Sequence, residues 1–330
     1  GSEMCIRDRY GTAIIIAKDS GYSALIRIHI KPKNTEEVTS VAMPQVSAGS
    51  DWIVALKYDG TVWAWGYNAD GELGNNSTTS SNLPVKVMAS EVEGDYLSGI
   101  VSITAGYYHS LAISKDGTVY AWGYNGLGQL GNSDTSSQLL PVKVLGGAAG
   151  SAYLTDIVQV SAAYWHTLAL KANGTVYAFG SSMFGQLGNN SSGNEVYKTT
   201  PVQVLTGEQG KASGYLENVV QIASMGGLNT YAWAFYYGAS LALTEDETVY
   251  GWGSSRYGDL GNETAVNAEP IVVVDSEYDT VQIAGGGTIG GRPYYGLGDG
   301  SYTYTYMLSG NGSIYSLGSV SYTHLTLPTP

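Results

Sequence analysis

Few residues in this chain have the types and spacing that chemistry requires. Among its 330 residues are 4 histidines and 1 cysteine. Two of the histidines, His109 and His166, stand 57 residues apart inside matching stretches. An imidazole at a repeated position suggests a base or a ligand. Other copies of the stretch place Trp52 and Ala239 there, and neither can accept a proton or ligate a metal. His109 and His166 therefore read as packing residues. Asn68-Ala69-Asp70-Gly71-Glu72 has the oxygen spacing of part of a calcium loop. Its counterpart, Asn125-Gly126-Leu127-Gly128-Gln129, carries no carboxylate, so both read as turns. Gly296-Leu297-Gly298-Asp299-Gly300 has the glycine density of a phosphate loop, but no helical pattern follows to supply the amides that hold an anion. No Ser/His/Asp set and no convergent carboxylate pair stands out. The expectation is no enzyme, no cofactor and no metal.

The elements that would position any site come from a repeated stretch. Asp116-Gly117-Thr118-Val119-Tyr120-Ala121-Trp122-Gly123 is a tight turn followed by a β-branched and aromatic strand, and Gly128-Gln129-Leu130-Gly131-Asn132 closes a second turn. Copies start at Asp59 and Asn173, a looser one at Glu247, and a degraded one at Asn311. A fixed period is the signature of propellers and solenoids. Each copy opens with a buried-strand pattern, such as Val46-Ser47-Ala48-Gly49 or Ile103-Thr104-Ala105-Gly106, and continues with a second strand such as Ser110-Leu111-Ala112-Ile113. Each of the first four ends on a strand that begins at a proline, Pro84, Pro141, Pro201 or Pro270, where the missing N–H costs least. That is about four strands per repeat, one blade each.

Composition agrees with an all-β repeat fold: 43% apolar residues, 45 glycines and 27 tyrosines, with no sustained helical period. No apolar run of about 18 residues is present, so no membrane insertion is expected. A net charge of −13 argues against a nucleic-acid partner, since that affinity rests on Lys and Arg. Beyond Cys5 there is no cysteine for a disulfide or thiolate site.

The motif Ala-Gly-x-x-His-Ser-Leu-Ala, then Asp-Gly-x-Val-Tyr-x-Trp-Gly, then Gly-Gln-Leu-Gly and a closing Pro-Val resembles the RCC1 (regulator of chromosome condensation) repeat. It is carried most fully by Ala105, Gly106, His109, Ser110, Leu111, Ala162, His166 and Leu168. The resemblance covers about residues 46–319 and implies a β-propeller, commonly of seven blades. With five repeats present, the expectation is an incomplete fragment of such a ring. Residues 10–33 read as a β-hairpin, resembling the end of a bacterial group-2 immunoglobulin-like domain, and 34–45 as a linker. Met4-Cys5-Ile6-Arg7-Asp8, back-translated and reverse-complemented, gives Val320-Ser321-Tyr322-Thr323-His324. Residues 1–9 and 320–330 thus resemble translated sequencing adapter and are set aside, so an absent signal peptide carries no information.

The informative departure is length. Ala105 and Gly123 are 18 residues apart, whereas the equivalent Ser224 and Gly253 are 29 apart and Gly285 and Gly318 are 33 apart. Both insertions fall in the same inter-strand loop of neighbouring repeats, so they are expected side by side on one face. They hold Tyr231, Trp233, Tyr236 and Tyr237 in the first, and Arg292, Tyr294, Tyr295, Tyr302 and Tyr304 in or beyond the second. Tyr, Trp and Arg are the usual anchors of recognition surfaces, and these nine residues are the candidate ligand-binding set. The reading is a non-enzymatic, protein- or glycan-binding propeller of a secreted or surface-displayed bacterial protein. An inhibitor of a secreted enzyme is the alternative, since the propeller type resembles a bacterial β-lactamase-inhibitory protein. A guanine-nucleotide exchange role like that of the family's namesake is disfavoured by the acidic charge.

Overall fold

The computed structural model describes residues 12–19, 22–29, 42–229, 235–255, 258, 260–262, 264–287, 289–290 and 303–318. For 12–19, 22–29, 227–229, 235–237, 287, 289–290 and 303–304 it describes the backbone alone. The two terminal stretches set aside above, 1–9 and 320–330, lie outside the described residues, as does most of the 34–45 linker. The chain divides into two compact units, residues 1–40 and 41–330.

The first unit is a hairpin. Strands β1 (Thr12–Asp19) and β2 (Tyr22–His29) pair from Thr12↔His29 to Asp19↔Tyr22 without a register break.

The second unit is a succession of antiparallel sheets. Blade 1 holds β3 (Gln45–Ala48), β4 (Trp52–Leu56), β5 (Val62–Gly66) and β6 (Ser81–Lys86). Blade 2 holds β7 (Ile100–Ala105), β8 (His109–Ser114), β9 (Val119–Gly123) and β10 (Gln138–Lys143). Blade 3 holds β11 (Ile157–Ala162), β12 (His166–Lys171), β13 (Val176–Ser181) and β14 (Tyr197–Gln203). Blade 4 is built from β15 (Val219–Asn229), β16 (Phe235–Thr244), β17 (Val249–Ser254) and β18 (Val266–Val274), with the two-residue β20 (Ile289–Gly290) added at its edge. Blade 5 has three strands, β19 (Thr280–Gly287), β21 (Thr303–Ser309) and β22 (Ile314–Leu317). The five blades form an open arc, not a closed ring.

The turn chemistry accounts for the regularity of the blades. At the Asp-Gly turn of blade 2, Gly117 has φ +77, and a Cβ there would lie 2.9 Å from the Asp156 backbone of the next connection. The fourth copy puts Glu247 at this position, at φ 67, which explains why that copy looked irregular. The prolines of the last strands correct the sequence reading. Pro84, Pro141, Pro201 and Pro270 lie inside β6, β10, β14 and β18, not at their starts. Each sits where the register to the preceding strand breaks, as between Ala64↔Val85 and Gly66↔Ser81. A proline needs no ladder donor at a bulge on an outer strand.

The core lies between blades as much as within them. One cluster joins Trp52, Val54, Leu56, Val62, Ala64 and Leu73 of blade 1 to Ile103, Ala112 and Trp122 of blade 2, and three further clusters continue along the arc. The first strands of neighbouring blades touch one another and are stapled by glutamines. Gln159 Nε2 donates to Ile222 O at 2.8 Å while its Oε1 accepts from Ile222 N at 2.9 Å. Gln221 makes the same pair of bonds to Ile283. A side-chain amide thus completes the hydrogen bonding that a further strand would supply.

In blades 2, 3 and 4 the aromatic before the glycine of the third strand packs against the preceding blade. Trp122 donates its Nε1–H to Glu72 O and Trp252 to Gln186 O, both at 2.9 Å. Trp122, Phe179 and Trp252 are fully buried. Trp65, at the same position of blade 1, is half-buried, because no described blade packs on that face.

Candidate functional site

The face that carries the insertions is built from the links between first and second strands. In blades 1 to 3 these are short turns, closed by Gly49 N to Trp52 O (2.9 Å), Gly106 N to His109 O (2.8 Å) and Ala163 N to His166 O (3.1 Å). The turns also bond to each other. Tyr107 N donates to Ala163 O of the next blade at 3.2 Å, and Ser50 N to Tyr107 O at 3.5 Å.

That coupling aligns the residues inside the turns, and five rings gather. Tyr107 stacks on Tyr164 with centroids 3.7 Å apart and planes 19° apart. Tyr108 packs against Trp165 at 5.3 Å, and Tyr124, from the link between the third and fourth strands of blade 2, meets Trp165 at 5.2 Å and 67°. Tyr164 and Trp165 are buried, at 4% and 8% exposure, while Tyr107, Tyr108 and Tyr124 are half-buried. Burial, followed by hydrogen bonding with Tyr107, pushes the Tyr164 phenol far above its ordinary range, so it stays neutral. Offset and edge-on contacts of this kind hold rings more firmly than area burial alone.

Beneath the rings lies a buried polar layer. Thr167 Oγ1 donates to Gln129 O at 2.9 Å, so the His109 Nε2 found 2.9 Å from that hydroxyl must be its donor. Ser240 Oγ donates to Gln186 O at 2.9 Å, and His166 Nε2 donates to it in turn at 3.0 Å. Both imidazoles are buried, and desolvation lowers both pKa values to about 3. They are neutral, tied across blades and closed to solvent, which suits packing and not proton transfer.

The calcium-like loop is consumed by its own turn. Asn68 Oδ1 accepts from Leu73 N at 2.8 Å, and its Nδ2 donates to Ser77 O at 2.8 Å and Thr79 O at 3.1 Å. Asn125 does the same for Leu130 and Asp134. Glu72 Oε2 accepts from Asp70 N at 3.0 Å, and burial raises the pKa of this carboxyl. Among the described residues no three His, Cys, Asp or Glu side chains gather as metal ligands.

The first insertion is an extension of the blade and not a loop laid over it. β15 and β16 continue in register past the blade, through Met225↔Ala239 and Leu228↔Tyr236 to Asn229↔Phe235. Its base adjoins the buried layer: a Cβ on Gly238 would lie 3.2 Å from Gln186 Nε2 and 3.3 Å from His166 Nδ1. The second insertion reaches back to the first, where Ile289 and Gly290 of β20 pair in parallel with Leu228 and Asn229. Of the candidate set, Tyr236 and Tyr237 fall in β16, and Tyr304 falls in β21 opposite Gly286. Tyr231, Trp233, Arg292, Tyr294, Tyr295 and Tyr302 lie outside the described residues. The five-ring cluster was missed by sequence reasoning. Its signal was present as Tyr107-Tyr108 and Tyr164-Trp165, aromatic pairs at the repeat position where the insertions occur.

Residues 19–329 match the model of the RCC1-like domain family. The chain is similar to the ultraviolet-B receptor UVR8 of Arabidopsis thaliana, with 30% identity over 230 residues that make up 70% of this chain and 45% of the receptor. It is 29% identical to the E3 ubiquitin-protein ligase HERC2 of Homo sapiens over 245 residues, 74% of this chain and 4% of the ligase. The chain thus spans less than half the length of either relative. Among solved structures it resembles human WBSCR16 (TM-score 0.62, 18% identity, covering 94% of this chain and 72% of that one). It also resembles yeast RCC1 (Prp20) bound to Kap60 (TM-score 0.59, 23% identity, 84% and 56%). Identities this low speak for the fold alone.

Proposed function

The chain belongs to the RCC1-like domain family, and from that premise we propose that it is a non-enzymatic, protein-binding propeller whose partner docks on the face of the two insertions. The observation that carries this reading is the continuity of that face. Four of the five clustered rings of blades 2 and 3 (Tyr107, Tyr108, Tyr164 and Trp165), the extended β15–β16 hairpin and the β20 bridge all occupy the same link between first and second strands. Aromatic anchors on a rigid β scaffold bind with little loss of conformational freedom. The relatives favour a protein partner over a glycan: yeast RCC1 is described bound to Kap60, and a further structure of it concerns binding to Gsp1p and histones. The net charge of −13 disfavours direct contact with nucleic acid. Secretion or display on a bacterial surface rests on the resemblance of the 10–33 hairpin to the end of a bacterial group-2 immunoglobulin-like domain.

The test is to immobilise the protein, expose it to bacterial and host extracts, and map the captured partner's footprint by amide hydrogen exchange. Protection should concentrate on 106–108, 163–165 and the two insertions. A footprint confined to the Asp-Gly turns on the opposite face would refute the assignment. Stoichiometric capture of a single secreted enzyme with loss of its activity would instead favour the inhibitor reading.

A further inference from the structure

A bulge recurs at the start of the first strand in blades 2 to 5. The ladder to the second strand skips one residue between Ile100 and Ser102, Ile157 and Gln159, Val219 and Gln221, and Thr280 and Gln282. The skipped residue is a valine each time: Val101, Val158, Val220 and Val281. An extra residue on a bulge leaves the ladder and can re-aim its side chain. Val158, Val220 and Val281 are 58%, 50% and 51% exposed, and Val101 is half-buried. Blades 3 and 4 have a blade on either side, so the exposure of Val158 and Val220 belongs to the repeat itself. The turn of the preceding blade braces the strand just before the bulge: Ile157 N donates to Gly117 O and Val219 N to Gly174 O, both at 3.1 Å. The row therefore runs along the turn end of the strands, opposite the insertions. Single exposed aliphatic residues are ordinary, but one at the same bulge of four successive repeats is a patterned surface.

Between blades 2 and 3 the row deepens into a cleft of about 400 Å³, lined by Val101, Val158, Ile157 and Ala172 and edged by Lys115, Asp116 and Asp156. Charge along the row is graded. Beside the cleft the carboxylates are offset by Lys115 and by Lys171, whose Nζ lies 3.5 Å from Asp156. At blades 4 and 5, Glu245, Asp246, Glu247, Glu277 and Asp279 are all exposed, and residues 244–255 and 260–287 hold no lysine or arginine. We propose that this row is a second docking surface, independent of the insertion face, and that it takes an extended protein segment with spaced aliphatic side chains and a cluster of Lys or Arg at one end. Its aliphatic side chains pack beside the bulge valines, and its basic end lies at blades 4 and 5, where the acid is uncompensated. A second copy of this chain is opposed by the same charge, since it brings acid to acid.

The experiment pans a library of random short peptides on the immobilised full chain, with counter-selection on a V158S/V220S double variant. Enriched peptides are then synthesised and titrated by fluorescence anisotropy. They should carry aliphatic residues with Lys or Arg gathered at one end. Their affinity should fall about tenfold in V158S/V220S and in Glu245→Lys, with unchanged far-UV spectra and melting profiles. It should also fall between about 0.1 M and about 1 M salt, as the screening length drops from about 10 Å to about 3 Å. Amide hydrogen exchange on the wild type should show protection at 100–102, 157–159 and 219–221, which keeps the test decisive if the double variant misfolds. Failure to enrich any peptide over the double variant would overturn the proposal, as would acidic consensus peptides or binding unmoved by Glu245→Lys. Protection confined to 106–108 and 163–165 would overturn it as well. So would self-association of the full chain that disappears in V158S/V220S, since that would assign the row to a second copy.

Discussion

Single residues in the buried layer decide how this protein responds to acid. His109 and His166 are held neutral by desolvation, with pKa values of about 3 against an ordinary 6.5. A depressed imidazole pKa means that the unfolded chain binds the proton first. The stability each contributes is intact above pH 6.5 and drains away as pH falls toward 3, at roughly 1.4 kcal/mol per histidine per pH unit inside that window. Urea unfolding at pH 7 and pH 4.5 should show a smaller acid loss for H109Q and H166Q than for the wild type. Equal losses would mean that other groups govern acid sensitivity. Glu72 behaves oppositely. It occupies the position of Gln129 and Gln186 but is a fully buried carboxyl with Oε1 unpartnered and a raised pKa. Its contribution is present below pH 4.5 and lost as pH rises. Glu72→Gln should therefore stabilise the fold at pH 7 by about 1 kcal/mol, with the gain vanishing in acid.

Elements were legible where one residue type had one physical task, and less so where neighbours set the outcome. The Asp-Gly turns, the Thr-Val-aromatic strands and the fourth copy's weakness at Glu247 could be read directly. That last feature now has a cost attached: Glu247 holds φ 67, so Glu247→Gly should raise stability by about 1 kcal/mol, visible as a higher melting temperature. The prolines were placed at strand starts because propensity alone does not reveal a bulge. The insertions looked like loops because Gly and Tyr dominate them, yet β15 and β16 stay paired out to Asn229↔Phe235. Trp65 stands at the repeat position of Trp122 and Trp252, and sequence repeats do not say which copy lacks a neighbour. Trp122→Ala and Trp252→Ala should cost about 3–5 kcal/mol each, as full core truncations do, and Trp65→Ala markedly less. Equal costs for all three in denaturant titrations would contradict the open arc.

At the scale of the molecule, the repeats dictate a scaffold and the departures from the repeats mark the proposed binding face. Neighbouring blades stapled by Gln159 and Gln221 and by indole-to-carbonyl bonds form a stiff platform, on which the same link is short in blades 1 to 3 and long in blades 4 and 5. The insertions were visible as excess length. The aromatic cluster beside them was not, because Tyr107 and Tyr164 are 57 residues apart and meet only when blades stand side by side. On the proposed function, this face holds a partner and does not merely cap the blades. The most direct measurement replaces Tyr236, Tyr237, Tyr294 and Tyr295 with serine and compares capture of the identified partner with thermal melting. Capture should be lost while the melting temperature stays within a few degrees of wild type. Capture retained at wild-type strength, or lost only in step with unfolding, would contradict it.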